Sequence, residues 1–212
     1  MKLLSVALAR ALWFLDVNEL NPGGRDIFTH LLPAILDDYR FRTFPKAGDD
    51  LSQGLKFMYG EFDKEDGSVL AFNCTVYNDG IAVDTFSSTD DSEEILEEFL
   101  TSLPDGFVYD PEMIRRKAYV SQVTVRCSKP LGALNAKLGD FANRVSVAVG
   151  GPVFELSGVE FWPDQTLAAK PASFSFQRKV GDPNGHDRYW SQAAVPTDKH
   201  LELLEEFEAL LS

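Results

Sequence analysis

The amino-acid sequence predicts an α+β fold built from two tandem β-α-β(4)-α repeats, whose strands form a curved antiparallel sheet with helices on one face. The first observation is a repeated helix start, because TDDSEEILEEF begins at Thr89 and TDKHLELLEEF begins at Thr197. The second is a repeated strand, since SVALARA at Ser5 resembles SQVTVRC at Ser121. The third is the alternation of apolar and polar residues between the helices, which is typical of strands with one buried face.

The first half opens with a strand over Leu3–Phe14, although its composition also suits a helix. We assign a strand because this segment aligns with Val120–Cys127, in which polar and apolar residues alternate and β-branched residues are frequent. A helix follows at Asp26–Asp38, and Pro33 must bend or divide it. The next four strands are Tyr39–Phe44, Leu55–Phe62, Ser68–Tyr77 and Ile81–Phe86, with tight hairpin turns at 66–67 and 78–80. An amphipathic helix at Ser92–Leu103 ends this half. Its capping oxygens come from Thr89, Asp90 and Asp91.

The second half repeats this order after its own first strand. Helices are predicted at Leu131–Val149 and His200–Leu211 from their apolar periodicity. Four strands lie between them, at Val153–Leu156, Val159–Trp162, Ala172–Val180 and Asp187–Ala194, the last two joined across GDPNG at 181–185. We therefore divide the chain into repeats at 1–107 and 108–212 that together form one continuous globular unit.

This order of elements resembles the TATA-box-binding-protein-like fold, in which two such repeats join their sheets into a saddle. The resemblance is one of topology over the whole chain and rests on no sequence motif of that family. It implies a docking surface on the sheet face opposite the helices, and no particular activity.

The pleat of the strands decides which residues lie on that open face. Alternation from the buried apolar positions places the following residues outward: Arg10, Asn73, Thr75, Tyr77, Gln122, Thr124, Arg126, Ser175, Gln177 and Lys179. Val6 and Leu8 are apolar residues on the same face. Either another chain or segment covers them, or the first strand is central and buried on both sides.

The composition favours some partners over others. The 212 residues carry a formal net charge of −13, which disfavours nonspecific adhesion to nucleic acid or anionic lipid. Cys74 and Cys127 lie in apolar runs, so we expect reduced, buried thiols and a cytoplasmic protein. Arg10 interrupts the first apolar run after seven residues, which is too short for a signal peptide, and no later segment approaches the length of a membrane span.

Candidate sites for small ligands are weak. Gly23, Gly24 and Arg25 precede a predicted helix and form a candidate anion site, with a simple chain-reversing turn as the alternative. His30, His186 and His200 are dispersed and are interpreted as solvated or capping residues. We therefore expect no metal site, no cofactor and no catalytic residues.

These observations favour a non-enzymatic, acidic binding or assembly protein that docks a macromolecule, with another protein as the favoured partner. The first alternative is a nucleic-acid-binding protein that uses the open sheet face. The second is an enzyme whose site is dispersed along the sequence. Homo-oligomer formation stays open, because a terminal amphipathic helix has the same pattern whether it packs on its own sheet or on a second copy.

Overall fold

The computed structural model describes residues 1–46, 48–49, 53–167, 169–179 and 187–211. The strands are β1 Lys2–Phe14, β2 Leu55–Asp63, β3 Val69–Tyr77, β4 Gly80–Thr85, β5 Arg116–Arg126, β6 Gly158–Phe161, β7 Phe174–Arg178 and β8 Arg188–Ala193. The helices are α1 Ile27–His30, α2 Leu32–Tyr39, α3 Thr89–Thr101, α4 Ala136–Val149 and α5 Thr197–Leu210. The predicted α+β class is therefore confirmed.

The eight strands form an open antiparallel sheet in the order β2-β3-β4-β1-β5-β8-β7-β6. The chain divides into two compact units, unit 1 (Met1–Ala7 and Ser121–Ser212) and unit 2 (Leu8–Val120). These bounds differ from the predicted repeats because β1 and β5 each contribute residues to both units. The division at 107 and 108 refers to sequence repeats and stays a prediction.

Unit 2 is built on a core rich in aromatic residues. Ala9, Ala11 and Trp13 of β1 are buried, whereas the alternate residues Leu8 and Leu12 are half-buried. The strand assignment for this segment is therefore confirmed, and burial on both faces is only partial. The core is completed mainly by Phe57, Phe62, Phe72, Ile81, Val83, Ile95, Leu96, Phe99 and Leu100.

Unit 1 has a smaller core beneath α5. Its buried side chains are Val123, Val125, Cys127, Leu131, Phe176, Tyr189, Leu204, Phe207 and Leu211. No residue of α4 is buried, although its sequence is amphipathic. Unit 1 therefore holds one helix firmly against its strands and one helix loosely.

Among the described residues, three strands lie between the helices of each half, so the strands predicted at Tyr39–Phe44 and Val153–Leu156 are wrong. Tyr39 ends α2, and the following residues form only an isolated bridge, Thr43 to Met58. The segment 153–156 contains no strand. The predicted turn at 181–185 lies outside the described residues.

The helix starts differ from the predictions in physically simple ways. Pro33 divides the first helical segment into α1 and α2, as predicted. It lies in the first turn of α2, where backbone N–H groups have no acceptor within the helix, so the missing N–H of proline breaks no helical hydrogen bond. Helix α3 is capped by Ser88, whose hydroxyl accepts a hydrogen bond from the Asp91 amide at 3.1 Å. A 3-10 turn over Leu131–Leu134 precedes α4, so that helix begins later than its periodicity predicts.

Candidate functional site

The predicted open-face residues of unit 2 are joined to their neighbours. Arg10 lies opposite Asp84 in the β1–β4 register, and its guanidinium donates to both carboxylate oxygens at 2.6 and 2.7 Å. This hydrogen-bonded pair raises the pKa of Arg10. Asn73 lies on the other side of Asp84, and its side-chain oxygen accepts a hydrogen bond from the Tyr59 amide at 2.8 Å. Arg10 is therefore a paired cation and not a free one.

Thr75 and Tyr77 follow Asn73 along β3. Both are half-buried, and their side chains crowd Gly54, where an added Cβ would lie 2.7 Å from the Tyr77 ring and 2.8 Å from the Thr75 methyl. Gly54 also has a positive φ of 82°. These two side chains therefore pack against the chain that enters β2.

In unit 1, four polar residues form a row across neighbouring strands. Gln122 lies opposite Gln192, and its amide donates to the Gln192 side-chain oxygen at 2.8 Å. Ser175 lies opposite Gln192 on the next strand, is buried, and donates to Glu160 at 3.0 Å. Hydrogen bonds from Ser173 and Ser175 lower the pKa of Glu160. The row is therefore satisfied internally.

The next two rows of unit 1 contain the remaining predicted residues. Thr124 is buried and faces Trp190 in the β5–β8 register, and Gln177 faces the same tryptophan from β7. Arg126 forms an ion pair with Asp187 at 2.9 Å. Lys179 is exposed at the end of its strand. The structure thus brings Thr124, Gln177 and Trp190 together, a row that sequence parity alone does not reveal.

The neighbours that hold these residues were missed because strand register cannot be read from a single sequence. Asp84, Glu160 and Gln192 alternate correctly within predicted strands. Nothing in the sequence says which cation or amide each of them faces. The signal that was present is the outward parity of each residue.

The candidate anion loop has a structural role. Gly24 has a φ of 60°, and the Arg25 backbone is tied to the Asn21 side chain by two hydrogen bonds of 2.8 and 2.9 Å. The Arg25 guanidinium donates to the Asp105 carbonyl at 2.8 Å and lies over Gly106. The helix that follows Gly23 and Gly24, α1, has only four residues. This arrangement fits the turn alternative, with Arg25 fastening the turn to the 105–106 loop.

His200 is a buried core residue, and its interpretation as a solvated or capping residue is wrong. Its side chain is fully buried, with Nε2 at 2.9 Å from the Ser191 hydroxyl and Nδ1 at 3.0 Å from the Ser121 hydroxyl. The Ser191 hydroxyl donates its hydrogen to the Ser175 carbonyl at 2.8 Å, so it accepts a hydrogen bond from the protonated Nε2 of His200. The unprotonated Nδ1 then accepts a hydrogen bond from the Ser121 hydroxyl. Burial lowers the pKa of His200 to about 4. His30 is exposed, and His186 lies outside the described residues.

The two cysteines are buried and free, as predicted. Burial raises the pKa of both thiols. Neither is therefore an activated nucleophile. Among the described residues, no group of three or more His, Cys, Asp or Glu side chains could hold a metal ion, and no helix is long and apolar enough to cross a membrane.

An apolar concavity of unit 1 lies between α5 and the β6–β7 pair, and we call it the α5 groove. It has a volume of about 420 Å³ and is lined by Phe161, Phe174, Leu203, Glu206, Phe207 and Leu210. Phe174 packs on Phe207 with ring centroids 6.2 Å apart. Phe161 and Leu210 are 59% and 69% exposed. Apolar walls with one carboxylate at the rim are typical of a peptide-binding surface.

Exposed apolar side chains concentrate in unit 1 among the described residues. They are Leu3, Leu4, Leu138, Phe141, Val147, Val149, Val153, Phe154, Phe161, Trp162, Leu167 and Leu210. In unit 2 the corresponding set is shorter, namely Phe44, Tyr59, Val69, Phe86 and Val108. Single exposed apolar side chains are common on folded proteins, whereas Phe161 and Leu210 line one concavity, which is the arrangement typical of a binding surface.

In unit 2 the surface formed by α3 and β3 is covered by a segment of the chain itself. Tyr39 packs on Phe99 of α3 and on Phe72 of β3, with centroid distances of 5.8 and 5.6 Å. Phe41 packs on Phe72 and Phe57 at 5.1 and 5.3 Å. Tyr39 and Phe41 are 3% and 6% exposed. The segment after α2 thus closes in unit 2 the kind of surface that stays open in unit 1.

Comparison with known proteins identifies no relative, since neither a protein-family model nor a curated protein matches this chain.

Proposed function

We propose that the protein is a non-enzymatic binding module whose α5 groove docks a segment of another protein. The single observation that carries the proposal is the exposure of Phe161 and Leu210 beside the buried Phe207. Covering such a side chain completely contributes roughly 1.5–3 kcal/mol, so leaving two of them open is costly unless a partner uses them.

A heterologous partner is favoured over a second copy of the chain. Two copies would each bring a net charge of −13. The groove itself is lined by the exposed carboxylate of Glu206. Like charges of this size oppose self-association and attract a cationic segment.

Nucleic-acid binding through the open face is the second candidate, and the observation in its favour is a small basic end on unit 1. Arg126 lies opposite Arg188, and the Lys179 amide donates to the Arg188 carbonyl, with Trp190 one row away. Arg126 is already paired with Asp187, however, and the whole-molecule charge repels phosphate. The groove therefore supports the proposal better than this face does.

We further propose that the two halves derive from one duplicated module. In each half the fourth residue of the closing helix is buried and polar and joins two strands of its own unit: Ser92 contacts Thr85 and the Ala9 carbonyl, and His200 contacts Ser191 and Ser121. The resemblance to the TATA-box-binding-protein-like fold stays a prediction, and three strands in place of four depart from the order on which it rested.

The test of the docking proposal uses a matched pair of double variants. Partners captured with the full chain are identified and purified, and each is then titrated by calorimetry against wild type, Phe161→Ser/Leu210→Ser and Val147→Ser/Val153→Ser. Val147 and Val153 are 82% and 78% exposed and lie outside the groove, so their variant is the control.

We expect the groove variant to bind the partner about tenfold or more weakly, and the control to bind like wild type. Circular dichroism checks that both variants fold. Equal affinity of wild type and groove variant for every purified partner would refute the proposal.

A further inference from the structure

Unit 2 carries its own example of what fills such a surface. The segment Tyr39-Arg40-Phe41-Arg42 leaves the end of α2 through Arg40, which has a φ of 52° in the left-handed region. Arg40 is the residue at which α2 ends. The residues on either side of it, Tyr39 and Phe41, both pack on the ring of Phe72. Two aromatic residues separated by one position thereby cover one apolar surface.

The two arginines of this segment are held by acids at the edge of the same unit. Arg40 forms ion pairs with Glu61 at 3.4 Å and Asp63 at 2.8 Å, and Arg42 lies 3.8 Å from Glu61. These acids belong to β2, the terminal strand of the sheet order on that side. Aromatic side chains thus provide the packing, and arginines provide charge contacts at the rim.

The α5 groove offers the same two kinds of contact without an occupant from its own chain among the described residues. Phe174 and Phe207 provide the aromatic floor, as Phe72 and Phe99 do in unit 2. Glu206 lines the groove. The groove lies beside β6, the terminal strand at the other end of the sheet order.

Resting on the proposed function, we infer that the partner segment recognised by the α5 groove carries two aromatic residues separated by one position, with an arginine or lysine after each. The aromatic rings bury Phe161 and Leu210 against Phe174 and Phe207. The cations of the segment contact Glu206 at the groove. The class of partner is therefore a basic, aromatic peptide segment on another protein.

The probe is the capped hexapeptide YRFRTF, which reproduces residues 39–44 of this chain. It is titrated into the uniformly ¹⁵N-labelled full-length protein, and backbone amide shifts are followed. We expect saturable shifts at Phe161, Phe174, Leu203 and Leu210. The Phe161→Ser/Leu210→Ser variant should weaken binding about tenfold, whereas Val147→Ser/Val153→Ser should leave it unchanged.

Two altered peptides separate the contributions of packing and charge. Alanine in place of the first tyrosine and first phenylalanine should weaken binding about tenfold, because the aromatic contacts are lost. Glutamate in place of both arginines should weaken it by a similar factor, about tenfold, because it meets an acidic helix. An equal affinity for either altered peptide overturns the inference.

The remaining outcomes separate this inference from the proposed function. Shifts confined to Phe72 and Phe99 would mean that the peptide displaces its own counterpart in unit 2, and would also overturn the inference. If a purified partner depends on the groove but the peptide does not bind, the inference fails and the proposed function stands. If no purified partner depends on the groove, the proposed function fails.

Discussion

At the scale of single residues, His200 is an ionisable group that burial in unit 1 keeps neutral. His200 satisfies both ring nitrogens with Ser191 and Ser121 while it is fully buried. The sequence places His200 in the first turn of a helix, where exposure is the usual expectation. Its burial follows from strand residues far away in the chain, which a single sequence does not connect to it.

His200 makes the stability of the protein depend on pH in a defined window. An unfolded histidine titrates near pH 6.5, whereas burial lowers the pKa of His200 to about 4 in the folded protein. Between these values the unfolded state binds a proton that the folded state does not. The contribution is therefore complete above about pH 6.5 and is lost as the pH falls, by about 3 kcal/mol near pH 4.

Denaturant unfolding from about pH 7.5 to about pH 4.5 measures this effect. We expect the loss of unfolding free energy on acidification to be smaller in His200→Gln than in wild type by most of that amount. His30→Gln, at an exposed position, is the control and should follow wild type. Identical pH dependence of wild type and His200→Gln would show that His200 titrates normally.

At the scale of elements, the sequence predicts most helices and strands well. It predicts poorly which apolar surfaces the segments between them cover. Alternation and turn residues place β3 and β4 correctly, alignment with the second half places β1, and Pro33 divides the first helical segment as expected. The run Tyr39–Phe44 has the composition of a strand. In the structure, however, Tyr39 ends a helix and the Phe41 ring packs on the ring of Phe72. Its aromatic residues are used for packing, so β propensity is misleading there.

Gly60 tests whether this aromatic cover is tightly seated. A Cβ at Gly60 would lie 2.5 Å from the Phe41 ring and 2.9 Å from the Phe72 ring. Gly60→Ala must therefore displace Phe41, and we expect it to reduce the free energy of unfolding by about 1–3 kcal/mol in a denaturant titration.

The control for Gly60 is Gly132→Ala, because a Cβ at Gly132 meets no atom within 4 Å. That variant should match wild type or gain slightly in stability. A Gly60→Ala protein as stable as wild type would indicate that Phe41 is loosely packed and that the cover has little energetic value.

At the scale of the whole molecule, charge and apolar exposure point to the same kind of partner. The sequence alone gives the net charge of −13 and the acidic character of α5. It does not reveal that Arg10 and Arg126 are each paired with an acid, nor that Phe161 and Leu210 stand exposed beside a groove. Both facts depend on which strands are neighbours, and they move the candidate site from the open sheet face to α5.

Hydrogen–deuterium exchange of the full chain, with and without its purified partner, tests the central claim most directly. We predict slower exchange in β6 and in the 203–210 part of α5 when the partner is bound, because the partner covers those backbone amides. Unchanged exchange there, with protection confined to unit 2 or to β5 and β8, would contradict the assignment of the α5 groove as the docking site.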